Sequence, residues 1–167
     1  MAITYIALST TTVGSGGASQ VEFSSIPQTY NDLKIVVSGR TTQASTADSV
    51  YFRFNNSTAN FNARVLYASG SGVGNFTDTR YAGSEPGSSA TANAFSNIEL
   101  YIGNYTTSSN KIYLVDSVTE NNAVEAYTYL AAAQWSNSAA VTSIIVEPNA
   151  GTFVQHTTIT LYGIKNS

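Results

Sequence analysis

The stretch His156–Lys165, HTTITLYGIK, decides the architecture. Ile159, Leu161 and Gly163 fall on one side of an extended chain. Thr158, Thr160, Tyr162 and Ile164 fall on the other. Successive side chains of a strand point to opposite faces, so such a segment buries one face and shows the other to water or to a second surface. The same two-residue period returns along most of the chain. Leu33, Ile35 and Val37 repeat it, as do Val50, Phe52 and Phe54 against Tyr51 and Arg53, and Ile98, Leu100 and Ile102 against Glu99 and Tyr101. Lys111–Glu120 is read with Ile112, Leu114 and Val118 facing the core, and Asp116 half-buried on their parity. Glu125–Trp135 holds helix formers in YLAAAQW, but Tyr127, Thr128 and Tyr129 favour a strand.

About ten strands at intervals of roughly 8–12 residues, with no helical period between them, predict one all-β domain over residues 1–167: an antiparallel jelly-roll-like β-sandwich. The expected core holds Ile35, Val37, Phe52, Phe54, Ile98, Leu100, Ile102, Ile112, Leu114, Ile159 and Leu161. Residues 1–20 read as an N-terminal arm, a short strand at Ile3–Leu8 followed by a Gly-Ser hinge, able to pair with a neighbour or within its own domain. Ser69–Asn93 is low in complexity. It reads as one weak strand near Phe76–Tyr81 and an exposed loop.

Composition narrows the function classes. The chain has 167 residues, of which 10% are charged, with a net charge of -3. Its seven Lys and Arg are scattered singly, which argues against nucleic acid, where phosphate binding needs a clustered cationic footprint. No apolar run reaches the roughly 20 residues of a membrane helix. The start, MAITYIALSTTT, lacks the basic region of a signal peptide, so synthesis in a cytosol is expected. With no cysteine, disulfides and thiol chemistry are ruled out.

Candidate chemistry is sparse. Gly70, Gly72 and Gly74 are followed by no helix and no Lys-hydroxyl pair, so they read as a turn rather than a phosphate loop. The sequence has no GxSxG elbow, and His156, the single histidine, reads as satisfied or solvent-facing. Asp116, Glu120 and Glu125 could offer a glycosidase pair, but a structural role with Arg40, Arg53 or Arg64 as partner for Asp116 fits better. Asp48, Asp78 and Glu85 could hold calcium, yet they lack DxDxDG spacing. No catalytic residue, cofactor or metal ligand is assigned. Aromatic side chains are the stronger hint, because Tyr and Trp are enriched at protein interfaces. The candidate contact residues are Tyr51, Tyr101, Tyr113, Tyr127, Tyr129 and Trp135, with Ile3 and Tyr5 in the arm.

Phe23–Thr41, FSSIPQTYNDLKIVVSGRT, resembles a segment of small virion proteins of tailed bacteriophages, cyanophages among them. Ile159–Ser167, ITLYGIKNS, resembles their C-terminus, and Tyr101–Tyr105, YIGNY, also fits. The resemblance implies a jelly-roll or related sandwich in the virion, made in the host cytoplasm and without catalysis. It implies a capsid cement protein that binds the major capsid protein as a homo-oligomer, a trimer being one arrangement. The alternative it implies is a tail-fibre or receptor-binding module, joined to tail proteins and recognising host carbohydrate.

Overall fold

The computed structural model describes residues 3–70, 72–120, 122 and 126–166. Twelve strands and no helix occur among them: β1 (Ile3–Thr12), β2 (Val21–Phe23), β3 (Asp32–Ser38), β4 (Ala47–Phe54), β5 (Phe61–Ser69), β6 (Gly72–Asp78), β7 (Tyr81–Pro86), β8 (Asn97–Ile102), β9 (Lys111–Thr119), β10 (Tyr127–Trp135), β11 (Ile144–Pro148) and β12 (Thr158–Asn166). One sheet has eight strands in the order β1-β12-β3-β8-β9-β10-β5-β6. The other has four, β2-β11-β4-β7. Every pairing between them is antiparallel, so the chain is an antiparallel jelly-roll-like β-sandwich.

The opening stretch follows its alternation except at Ile164, which is buried although it was read on the outward face. Ile159 and Leu161 are buried in the core, and β12 is held between β1 and β3. Gly163 is on the same inward face because the ring of Tyr30 occupies the space that a side chain would need. The segment after Glu125 is a strand, as Tyr127–Tyr129 suggested.

Aromatic rings fill the sandwich. Phe52 meets Tyr113 edge-on at 4.8 Å, and Phe61 stacks on Trp135 at 5.7 Å. These rings have room because the facing row, Tyr113–Ala133–Ala63, puts small residues beside the large one. The indole N–H of Trp135 donates to the Ala59 carbonyl at 3.2 Å, which satisfies the one polar atom of a buried Trp.

Three expectations are corrected here. The phase of β9 is opposite to the one read from sequence: Ile112 and Leu114 are 54% and 53% exposed, while Tyr113 and Val115 are buried. Both parities of that strand are apolar, and the larger ring won the core. Tyr113 and Trp135, read as outward contact residues, are therefore core. The Ser69–Asn93 stretch holds two strands, β6 and β7, rather than one weak strand. Its following loop is pinned by the buried Arg40, whose guanidinium donates to the carbonyls of Ala90, Thr91 and Ala94. Of the two readings of the N-terminal arm, the structure takes pairing within its own domain: β1 lies along β12, and Val13–Gln20 is tied down by bonds from Val13 to Thr157 and between Ala18 and Phe153.

Candidate functional site

The two outer faces of the sandwich differ in chemistry. The four-stranded sheet shows a charged and internally paired surface. Glu147 accepts from Arg53 at 2.6 Å and from Arg80 at 2.5 Å, Arg53 also donates to Gln20, and the Arg80 guanidinium lies 5.2 Å from the Tyr51 ring centre. The Tyr51 hydroxyl donates to Asp78 at 3.2 Å, and burial together with that carboxylate raises its pKa. This face leaves little for a partner to satisfy.

The eight-stranded sheet does the reverse. Its strands aim their second parity outward, and on β5, β10 and β9 that parity carries large apolar residues beside polar ones. Leu66 of β5, Leu130 of β10 and Leu114 of β9 are 61%, 51% and 53% exposed. Ile112, Val118 and Val73 continue the surface. Pairing sets these side chains in rows across the sheet. One row runs Arg64–Ala132–Leu114–Tyr101–Lys34; the next runs Leu66–Leu130–Asp116–Glu99–Val36. Small Ala132 lies between larger neighbours, and a shallow depression of about 580 Å³ opens there. Isolated exposed apolar residues are ordinary, but a contiguous patch marks an interaction site.

Charges frame this patch unevenly. Lys34 pairs with Glu99 at 2.7 Å and lies 5.8 Å from the Tyr5 ring centre. Asp116 is exposed, directly opposite Glu99, and has no ion pair or hydrogen bond among the described residues. It is thus neither half-buried nor paired with an arginine, contrary to the expectation from sequence. Arg64 donates to Thr77 Oγ1 at 2.7 Å and meets no carboxylate among the described residues. One guanidinium and one carboxylate are left without ionic partners on opposite sides of β10.

Of the eight candidate contact residues, only Tyr5 and Tyr101 stand exposed on this face. The Tyr101 hydroxyl donates to Asp32 at 2.6 Å; partial burial and that carboxylate push its pKa up to about 12. Tyr127 and Tyr129 are half-buried on the inward parity of β10. Tyr51 is half-buried under the charged face. Ile3 opens β1 opposite Asn166, and its side chain lies outside what is described. Of the residues that make the patch, Leu66 and Leu130 were not singled out from sequence, and Leu114 was read as core. Their signal was present as strands apolar on both parities, which is a mark of a strand covered on both sides.

The remaining candidates are scattered. His156 is exposed in the turn before β12. Glu120 accepts from the Thr91 hydroxyl at 2.8 Å, and Glu125 lies outside the described residues. Asp78 is with Tyr51, away from Asp48 and Glu85, which are direct cross-strand partners on β4 and β7. Asp48 accepts from the backbone N–H of Ala150 at 3.0 Å. Glu85 is fully buried, neither carboxyl oxygen has a hydrogen-bond partner, and burial followed by the charge of Asp48 raises its pKa well above the usual carboxylate range.

No family model and no curated protein matches the chain. Among solved structures, the galectin LEC-6 of Caenorhabditis elegans is similar at 10% identity over 94% of this chain and 96% of that one, with a TM-score of 0.34. A protein of unknown function from Saccharomyces cerevisiae aligns at 10% identity over 89% and 73%, with a TM-score of 0.29. The CBM40 of Ruminococcus gnavus IT-sialidase, bound to α2,3-sialyllactose, aligns at 12% identity over 85% and 90%, with a TM-score of 0.27. Likenesses of this degree carry no argument about function.

Proposed function

We propose that this chain is a non-enzymatic structural protein of a bacteriophage particle, a capsid cement protein held in place by protein–protein contact. The observation that supports it is the apolar outer face of the large sheet, with Leu66, Leu114 and Leu130 each more than half exposed. Burying a leucine is worth about 1.5–3 kcal/mol, so a folded domain gains by covering such a face. The contacts are mostly apolar and neutral, which makes them tolerant of salt. The particle setting rests on the likeness of Phe23–Thr41 and Ile159–Ser167 to small virion proteins. The carbohydrate-module reading is weaker because Trp135, the best stacking side chain, is spent in the core.

Particles assembled without the protein test this. They are expected to lose heat and osmotic resistance yet still adsorb to cells, since a bound cement protein stabilises the shell by mass action. Particles that stay robust but no longer attach to the host would replace cement with the tail-module reading.

A further inference from the structure

We infer that the occupant of the outer sheet face is a second copy of this chain, packed sheet on sheet about a two-fold axis. The inference rests on the reading of that face as a protein-contact surface and gives it to a second copy, so that the pair meets the shell through its other surfaces. It comes from the placement of the two charges that lack ionic partners. Arg64 and Leu66 stand on β5, and Leu114 and Asp116 on β9, with β10 between them. Strands are about 4.8 Å apart and alternate residues about 6.8 Å apart, so these four side chains, two strand spacings apart, outline a rectangle of about 9.6 by 6.8 Å with Leu130 and Ala132 midway along its long edges.

One diagonal of that rectangle is apolar, Leu66 to Leu114. The other is charged, Arg64 to Asp116. A second copy turned over about the apolar diagonal sets Leu66 against Leu66 and Leu114 against Leu114. The same rotation brings each Arg64 to about 4 Å, in the plane of the sheets, from the second copy's Asp116, a gap its long side chain spans, twice by symmetry. Leu130 of each copy falls beside the small Ala132 of the other, over the depression. Strands of the two sheets then cross steeply, near the orthogonal class of sheet packing. The surface is self-complementary, as a two-fold interface requires. The Thr77 contact uses one of the five N–H donors of Arg64, leaving the rest for a carboxylate.

The neighbouring charges agree. Asp116 faces Glu99 across β9 and β8, and like charges directly opposite cost stability. Lys34 relieves Glu99 only. A guanidinium brought by the second copy relieves Asp116.

Light scattering on the size-separated protein, over a range of concentrations, tests the inference. The wild type should be a dimer. Arg64→Asp and Asp116→Arg each create two like-charge contacts and should weaken the dimer at least about tenfold. The double variant Arg64→Asp/Asp116→Arg restores both pairs and should recover it. Leu130→Asp should give a monomer. Melting curves check that each exposed substitution leaves the fold intact. A trimer would overturn the inference, since a three-fold contact joins two different surfaces. So would a monomeric wild type, or a dimer unmoved by both Leu130→Asp and Arg64→Asp. A monomer that still binds and toughens particles sinks the pairing and spares the particle reading. A charge-dependent dimer absent from particles does the opposite.

Discussion

Glu85→Gln should change how stability depends on pH, more than stability at any one pH. Glu85 is fully buried on β7, opposite Asp48, with both carboxyl oxygens unpartnered. Its folded pKa is raised, first by burial and then by Asp48. The unfolded carboxyl releases its proton near pH 4.3. Between that value and the higher folded value, the folded state binds more protons than the unfolded one. Stability therefore falls as pH rises through the window, by up to about 1.4 kcal/mol per pH unit from this one group. The contribution is fully present below the unfolded value and is lost by the folded one. Gln keeps the shape and cannot ionise. Its amide meets the same unpartnered surroundings, a cost of about 1–3 kcal/mol that does not vary with pH. Urea unfolding of both proteins at intervals from pH 4 to pH 8 should give curves that diverge, with the variant gaining on the wild type as pH rises. For a domain whose whole stability is about 5–15 kcal/mol, a divergence over two pH units is easy to resolve. Parallel curves would show that Glu85 is paired or hydrated in the folded protein, and the reasoning would fail.

Leu161→Ala should cost about 2–5 kcal/mol, the range for truncating a buried leucine, and an unchanged denaturant midpoint would contradict its inward placement on β12. Gly83→Ala should destabilise by about 1–3 kcal/mol, because Gly83 has φ of 132° and an added Cβ would come within 2.8 Å of Ile98 Cγ2; thermal melting with an unshifted midpoint would refute it.

The sandwich was legible because most strands bury one face, and for them parity is enough. Val50–Phe54 and Asn97–Ile102 put inward the residues that their alternation names. β9 failed for a physical reason. Its outward Ile112, Leu114 and Val118 are as apolar as its inward Tyr113 and Val115, so hydrophobicity alone cannot choose a phase. The choice comes from Phe52 and Phe54 across the sandwich, which pack on the Tyr113 ring. The candidate site was missed for the same reason: an exposed face rich in leucine looks like core in one dimension. Arg64 and Asp116 gave no local signal because they are neighbours only through β10, which is made later in the chain than either. Trp135 misled because its indole partner, the Ala59 carbonyl, is distant in sequence.

The position of β12 has a consequence for how the molecule comes into being. Among the described strands it is the last to be made, yet it lies between β1, the first of them, and β3. Until Thr158–Asn166 leaves the ribosome, β1 has no ladder to join and β3 has an open side. Such distant pairings form slowly, since the chain must close a long loop before any contact rewards it. Nascent and prematurely terminated chains therefore cannot complete the large sheet. A chain stopped short of residues 158–166 leaves the outer face unfinished at β12, so the order of synthesis sets when that face can first form.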